Sequence, residues 1–445
     1  MYRDTIAAIS TPLGQGGIGI VRLSGPEAKS IARRLFDCPL RRQRLVHGHI
    51  VDPQTSQVVD EVLVAFMRAP HTYTREDVVE INAHGGLVPL QRILELVLRE
   101  GARLANPGEF TLRAFLNGRL DLAQAEAVLD VVQAKTAAGL RVALEGLAGR
   151  LSGRVRELRA RLLSVLAYLS ARIDFPEDEV GPQEVQTPLQ QAIEEIQPLL
   201  ASADTGMVYR QGVKTAIVGR PNVGKSSLLN CLLRESRAIV TPIPGTTRDT
   251  LEEVVNIQGV PFVLVDTAGI VESDDLVERL GVERSRRAVE QADLVLWVVD
   301  GSQPLTRHDR EIARMLQGKD VLLVVNKVDL LRQAKTDDFP WLSIETCAVS
   351  RQGVADLEQA MVNAVLGGVA PSSEAVLVAN VRHKNALERA QKHLADALSG
   401  YRAGLPDDFI TIDLTAALNA LGEITGETVG EDLLEAIFSQ FCIGK

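Results

Sequence analysis

The chain has 445 residues, 46% hydrophobic and 24% charged, which supplies enough apolar content for packed cores and excludes a disordered chain. Its formal net charge of −10 argues against a surface coated in nucleic acid, while leaving room for a local basic patch. Its four cysteines, Cys38, Cys231, Cys347 and Cys442, lie far apart with no C-x-x-C pair, which fits neither a disulfide framework nor a zinc site and points to a reducing compartment.

The opening stretch "MYRDTIAAISTPLG" carries no long apolar leader, and no later segment approaches 18 consecutive apolar residues. A cytoplasmic protein without membrane contact is expected. Residues 1–118 mix β-like runs ("GIGIVRLS", "EVLVAFM", "DVVEINA") with one helical run, "LVPLQRILELVLREGA", and read as an α/β or α+β domain. "GQGGIG" (14–19) matches G-x-G-x-x-G, but no good strand precedes it, and "IGIVRLS" after it reads as a strand. A dinucleotide site needs a helix there, so a hairpin or ligand-facing turn is expected. In "VVEINAHGG" (78–86), Glu80 alternates with apolar neighbours and is placed to face a pocket, whereas His84 reads as structural. His47 and His49 begin a strand with no carboxylate pattern nearby, and no metal site is expected there.

From about 119 to 205 the composition becomes Ala- and Leu-rich. Val155, Leu158, Leu162, Val165, Leu169 and Ile173 step by three or four, which is an amphipathic helix stripe. "DFPEDEVGP" stops it, and "LQQAIEEIQPLLAS" forms another helix. Residues 135–172 hold Lys135, Arg141, Arg150, Arg154, Arg156, Arg159, Arg161 and Arg172 against two acids, Glu145 and Glu157. The run is either an ordinary solvated surface or a phosphate-contacting patch.

Residues 213–366 alternate apolar runs ("KTAIVG", "FVLVD", "LVLWVVD", "VLLVVN") with helical stretches, as expected of parallel strands buried on both faces. After "GGVAPSSEA" (367–375), helical segments return in "HKNALERAQKHLADAL", "LTAALNALGEI" and "EDLLEAIFSQF". Three domains in a row would give this order. So would an α/β domain inserted into a helical domain with halves at 119–212 and 368–445, and the flanking helical halves favour the insertion.

"GRPNVGKSS" (219–227) matches G-x-x-x-x-G-K-[ST] at Gly219, Gly224, Lys225 and Ser226, between a strand and a helix. Backbone amides there wrap phosphates, Lys225 reaches the β/γ oxygens, and Ser226 offers a hydroxyl to Mg2+. Nucleotide contacts are expected over Asn222, Val223, Gly224, Lys225, Ser226 and Ser227. The loop with Thr241, Pro242, Ile243, Pro244, Gly245, Thr246 and Thr247 is placed to close on the γ-phosphate and metal. "VDTAG" ends a strand with Asp266, a carboxylate for the Mg2+ shell, followed by Thr267, Ala268 and Gly269. "NKVD" supplies Asn326, Lys327 and Asp329, and Asp329 can accept two hydrogen bonds from guanine that adenine cannot donate. "CAV", with Cys347, Ala348 and Val349, sits where a sixth strand would present an amide to the base oxygen, although Ser usually opens that motif. These elements, in order and at strand ends, read as a GTP-binding domain of the Ras-like P-loop class. Many GTPases place a water-orienting Gln after "DTAG"; Ile270 stands there, which leaves Asp274, Asp275, Glu278 and Glu283 as candidates. Asn222 suggests K+ beside the phosphates in place of an arginine finger, caged with carbonyls of the 241–246 loop.

Taken together, "STPLGQGGIGIVRLSG", "YTREDVVEINAHGG", "NPGEFTLRAFLNGRLDLAQAEAVLD", the "GRPNVGKSSLLN" and "IPGTTRD" core and the terminal "FCIGK" resemble the MnmE (TrmE) family of tRNA uridine-modification GTPases over the whole chain. The resemblance implies a multidomain α/β plus all-α protein. Residues 1–118 would be an α+β tetrahydrofolate-binding and dimerisation domain. A helical domain (119–212 and 368–445) would be interrupted by a G domain (213–367). It further implies a homodimer, joined by the FAD-containing MnmG (GidA) in a heterotetramer, that acts on tRNA. The complex would add an aminomethyl or carboxymethylaminomethyl group at C5 of the wobble uridine, position 34, with a one-carbon unit from 5-formyl- or methylene-tetrahydrofolate. GTP hydrolysis would be K+-stimulated and driven by G-domain dimerisation. By motif, folate contacts fall on Arg22, Glu80, Arg119 and Lys445, where several relatives have Lys in place of Arg119. K+ contacts fall on Asn222, Thr241, Ile243 and Thr246, Mg2+ contacts on Ser226 and Thr247, and the water-orienting role on Glu278. Cys442 in "FCIGK" is not a prenylation box, since Gly takes an aliphatic position and Lys the end, and it becomes the candidate for the non-GTPase chemistry. The alternative is a regulatory or ribosome-assembly GTPase without modification activity.

Overall fold

The computed structural model describes residues 4–175, 181–236, 253–265, 286–367 and 376–445. The first six strands are β1 (Ile6–Ile9), β2 (Gly16–Ser24), β3 (Leu45–Val51), β4 (Val58–Met67), β5 (Val78–Gly85) and β6 (Arg103–Leu104). They form one sheet in the order β3-β4-β5-β2-β1-β6, antiparallel except for the β1–β6 pair. In β4, Val62, Val64 and Phe66 turn into the core while Glu61 and Leu63 face out, the period of two expected of a sheet with one covered face. The cover is α1 (Ala28–Leu35) and α2 (Leu87–Arg99), which bury Ile31, Leu35, Leu90, Ile93 and Leu96. Next, α3 (Glu109–Leu116) is pinned by the fully buried Arg113, which donates to Asp4 Oδ1 (2.9 Å) and Glu109 Oε1 (3.0 Å).

Two expectations for this region need correction. A strand does precede the glycine run: β1 pairs antiparallel with β2, so the glycines belong to a hairpin and not to a βαβ dinucleotide unit. The region also holds three helices, because α1 and α3 span eight residues each and are too short to show a helical period in sequence.

Five helices follow: α4 (Leu122–Gln133), α5 (Ala137–Leu147), α6 (Arg150–Asp174), α7 (Gln186–Ala201) and α8 (Ala203–Gln211). Asp121 starts α4 with a capping box, accepting from the Gln124 amide at 2.9 Å. The second sheet is built from β7 (Val213–Val218), α9 (Lys225–Ser236), β8 (Glu253–Ile257), β9 (Val260–Val265), β10 (Leu294–Asp300), α10 (Arg307–Met315), β11 (Val321–Asn326), β12 (Leu342–Glu345) and α11 (Val354–Leu366). Its order is β12-β11-β10-β7-β9-β8, parallel except for the β8–β9 hairpin. Every residue of β10 and β11 is buried, as doubly covered parallel strands require.

The chain then returns to helices: α12 (Val381–Arg402), α13 (Asp407–Thr425) and α14 (Glu431–Phe438). Val155, Leu158, Leu162, Val165 and Leu169 of α6 share one core with Leu189 and Ile196 of α7, Leu387 and Leu394 of α12, and Leu414 and Leu421 of α13. The helical layer therefore draws on both sides of the second sheet's segment. Each arginine of α6 meets an acid: Arg150 meets Glu145, Arg154 Glu157, Arg156 Asp121, Arg159 Glu427, Arg161 Glu195 and Arg172 Asp407. The basic run in the sequence is thus not a bare basic patch in space, because four of those acids come from outside the run.

Candidate active site

The glycine-rich loop runs from the end of β7 to the start of α9 across the end of β10. Gly219 has φ 153°, and a Cβ on it would lie 2.3 Å from the Val298 carbonyl oxygen. Gly224 has φ 97°, and its Cβ would lie 2.2 Å from Asn326 Nδ2. The tight cradle therefore needs glycine at both ends. Lys225 Nζ donates to the Gly219 and Arg220 carbonyls (2.9 and 2.7 Å), which sets its ammonium within the loop and in front of the α9 N-terminus. An ammonium and a helix N-terminus in a glycine cradle fit the phosphates of a nucleotide.

Asn326 ties this loop to its neighbour. Its Nδ2 donates to Val223 O (2.9 Å), and its Oδ1 accepts from the Ala348 amide (3.1 Å). Lys327, at φ 65°, donates to Asn222 O and Asp300 Oδ2, both at 2.7 Å. Burial pushes the Asp300 carboxyl up, but bonds from Lys327 and Ser302 outweigh it and keep the carboxyl below its ordinary range. Arg220 Nε reaches Asp309 Oδ1 (2.9 Å) at the buried start of α10. Asn222 lies in the left-handed region at φ 64°, and Asp329 is exposed beside these groups. "CAV" proves to be a turn after β12. The Cys347 amide donates to Gln352 O (2.9 Å) and the Ala348 amide to Asn326, so both already have acceptors inside the protein. The expected residues from Thr241 to Thr247, from Asp266 to Gly269, and Glu278 lie outside the described residues.

A second constellation forms around the segment 438–445. Phe438 and Phe441 are buried against Leu122, Val128 and Leu129 of α4. Gly444 is buried at φ 97°, where a Cβ would lie 2.6 Å from the Ile9 carbonyl oxygen, so the tail seats closely on β1. Arg22 Nη1 donates to Gly444 O (3.2 Å), while its Nε donates to Glu80 Oε1 (2.9 Å). Burial and then the Arg22 charge hold the Lys445 ammonium below its ordinary range, and Cys442 opposes them. Arg119 stacks 4.7 Å over the Tyr73 ring and donates to Tyr73 O (3.2 Å). Burial pushes the Tyr73 phenol up, partly offset by Thr111, Arg119 and Arg22. Arg22, Glu80 and Lys445 are thus brought together, and Arg119 joins them through Tyr73.

Cys442 is exposed beside this group, whereas Cys231 and Cys347 are buried and Cys38 is half-buried. Ser10, next to Gly444, holds a buried hydroxyl without a hydrogen-bond partner. A buried, unspent hydroxyl next to Gly444, whose carbonyl accepts from Arg22, fits a ligand with polar edges, such as a folate. Ser10 and Tyr73 open the "STPLGQGGIGIVRLSG" and "YTREDVVEINAHGG" stretches, but neither was singled out as a contact from the sequence. Gly444→Ala is expected to unseat the tail and raise the rate of Cys442 alkylation by at least about fivefold, because a side chain at that φ collides with β1. Iodoacetamide labelling followed by mass spectrometry measures it; an unchanged rate would contradict this seating.

The histidines also correct the sequence reading. His47 Nε2 lies 2.6 Å from Glu61, His49 Nδ1 2.9 Å from Asp37, and His84 Nδ1 2.7 Å from Asp60. Strand pairing brings in carboxylates that the local sequence lacks. Among the described residues, the group with metal-ligand spacing is instead His393, Asp396 and Asp413, within 4.8 Å of one another on α12 and α13.

Residues 5–119 match the family model described as "GTP-binding protein TrmE N-terminus", and residues 122–442 match "MnmE helical domain". The "tRNA modification GTPase MnmE" of Roseiflexus castenholzii is 53% identical over 467 residues, covering 100% of both chains. The protein of the same name from Chloroflexus aurantiacus is 53% identical over 451 residues (99% of this chain, 100% of that one). That from Geobacillus thermodenitrificans is 50% identical over 458 residues, 99% of each. Among solved structures, Era in complex with MgGDPNP and 16S ribosomal RNA nucleotides aligns at 28% identity over 41% of this chain and 66% of that chain. Its TM-score of 0.28 is too low for any conclusion.

Proposed function

The chain belongs to the MnmE family of tRNA modification GTPases, and from that premise we propose that it hydrolyses GTP to drive addition of an aminomethyl or carboxymethylaminomethyl group at C5 of uridine 34 in certain tRNAs. A folate one-carbon unit supplies the carbon. The single observation that best supports this is the meeting of Cys442 with Arg22, Glu80 and Lys445 in a chain that also carries the glycine-rich phosphate loop. A regulatory or ribosome-assembly GTPase would have no use for such a thiol site.

In this reading, Lys225 leaves the Gly219 and Arg220 carbonyls for the β/γ-phosphate oxygens, exchanging neutral acceptors for charged ones. Ser226 and Thr247 hold Mg2+, which when bound neutralises charge on those oxygens. Asp329 selects guanine, and Glu278 orients the attacking water in place of the Gln that Ile270 replaces. Asn222, Thr241, Ile243 and Thr246 hold K+, so turnover should be about 100-fold faster in K+ than in Na+. Equal rates in the two salts would remove the cation from the scheme. The folate-binding and dimerising unit is assigned to residues 1–118, the G domain to 213–367 and the helical domain to 119–212 with 368–445. A homodimer working with MnmG completes the complex.

The deciding experiment is Cys442→Ser in a reconstituted tRNA modification assay. Modification should fall at least about 100-fold while GTP turnover stays at the parent rate. Full modification by the variant would exclude a chemical role for the thiol. Failure of the parent chain to bind 5-formyl-tetrahydrofolate would favour the regulatory GTPase.

A further inference from the structure

Two carboxylates one turn apart on α4 hold both strands of chain that connect the helical layer to the second sheet. Glu126 holds the end of the exit segment where it enters α12, through the cap residue Asn380 and the first turn. It accepts from Asn380 Nδ2 (3.1 Å) and from Arg382 Nε and Nη2 (2.9 and 2.6 Å), and lies 2.7 Å from His383 Nε2. Asp130 takes the entry strand, accepting from Nε of Arg210 (2.6 Å) near the end of α8, just ahead of β7. Arg210 also reaches the Ala379 carbonyl (3.4 Å), which links entry to exit. Ser202 Oγ accepts from the Val378 amide (3.2 Å), its one proton is shared between Leu199 O (2.7 Å) and Val376 O (3.2 Å), and a Cβ on Gly206 would lie 2.3 Å from Val378 O. Entry and exit therefore form one two-stranded neck, and α4 grips both strands.

The same helix reaches further in two directions. Just past its C-terminus, Lys135 Nζ donates to Gln211 O (3.3 Å), and Thr136 Oγ1 donates to Gly259 O (2.8 Å) in the β8–β9 turn of the second sheet. Its other face packs Leu122, Ala125, Val128 and Leu129 on Ile437, Phe438 and Phe441, which seat the Cys442 tail. With twelve residues, α4 moves as one unit about 18 Å long. The Glu126 and His383 side chains are only 8% and 7% exposed. Apolar packing fills the rest of the layer and would stabilise this position at least as well as buried charges do. The charges give directional attachment to the neck, which apolar packing cannot.

We infer that Glu126 and Asp130 are positioning residues through which the nucleotide state of the second sheet sets the placement of the Cys442 tail. This rests on the reading that the second sheet binds GTP. A rotation of the sheet about its neck displaces Arg210 and Asn380, their bonds to Asp130 and Glu126 carry α4 with them, and α4 carries α14 and the thiol.

The test uses the full chain with Cys38→Ser, so that labelling reports the exposed thiol. Alkylation of Cys442 is timed with GDP and with a non-hydrolysable GTP analogue, and GTP binding and turnover are measured on the same samples. The two rates should differ by at least about fivefold in this parent. In Asp130→Asn the difference should fall below about twofold with turnover unchanged. A nucleotide-blind parent that still hydrolyses GTP, or an Asp130→Asn chain that keeps the full difference, overturns the proposal. A parent that does not bind GTP overturns the functional reading first and this proposal with it. Should Asp130→Asn fail to fold, Arg210→Lys decides by the same criterion, since it keeps the charge and loses the guanidinium geometry.

Discussion

Lys225→Ala is expected to lower kcat/KM for GTP by about 10²–10³-fold, the scale for loss of a charged donor that stabilises a transferring phosphoryl group. The Lys225 ammonium lies inside the loop, held by the Gly219 and Arg220 carbonyls, and alanine removes that charge from the cradle. The backbone should not change, because Gly219, Asn222 and Gly224 set the loop, Asn326 braces it, and alanine suits the first turn of α9. Circular dichroism and thermal unfolding should match the parent. Lys225→Arg should not restore activity, since a planar fork cannot replace a compact ammonium between two carbonyls. Steady-state phosphate release measures all three chains, and a loss of less than about tenfold in the alanine chain would show that another group meets the phosphates.

Glu126→Ala should destabilise the chain by about 3–5 kcal/mol, because it leaves Arg382 and His383 buried without their acid. The pH profile separates this from simple cavity formation. Burial pushes the Glu126 carboxyl up, but hydrogen bonds from His383 and Arg382 overrule it and hold the group at about 2, against an ordinary 4.5. A depressed acid adds stability that is fully present above the ordinary value and lost as pH falls toward 2. That contribution is about 3 kcal/mol. Asp130 works in the opposite sense: burial raises it, so its charge costs stability at neutral pH and the cost is relieved as pH falls. Urea melts of parent and variant should therefore lie far apart at neutral pH and converge between about pH 4.5 and 2. A pH-independent gap would mean that lost packing, and not lost charge, causes the destabilisation.

The nucleotide loop was legible because its chemistry is consecutive. Six residues between one strand and one helix state the whole cradle, and glycine is required where the backbone turns. The thiol site was legible only through family resemblance, since Arg22, Glu80, Arg119 and Cys442 are far apart in sequence and meet only after the tail folds back onto β1. Ser10 and Tyr73 stand at the head of two of the resembling stretches, but only the folded tail shows that they border this site. The sequence left the α6 arginines open between two readings for a related reason. Sequence shows a donor and its neighbours on one helix, whereas Asp121, Glu195, Asp407 and Glu427 reach them from four other places. Charge patterning along a single segment cannot report partners delivered by tertiary packing.

The two-stranded neck has one more consequence. A segment whose ends are hydrogen-bonded to each other at Ser202, Val376 and Val378 can be removed or exchanged without moving the scaffold on either side. Joining residues 212 and 376 through a short glycine bridge would keep the helical core's own packing and bare Val142, Tyr209 and the partly buried Ala138, Val208, Leu377 and Ala379, which pack against the second sheet's core. The GTP-binding unit is in that sense a cassette, docked through one doorway into a framework that can be rewired with a different cassette.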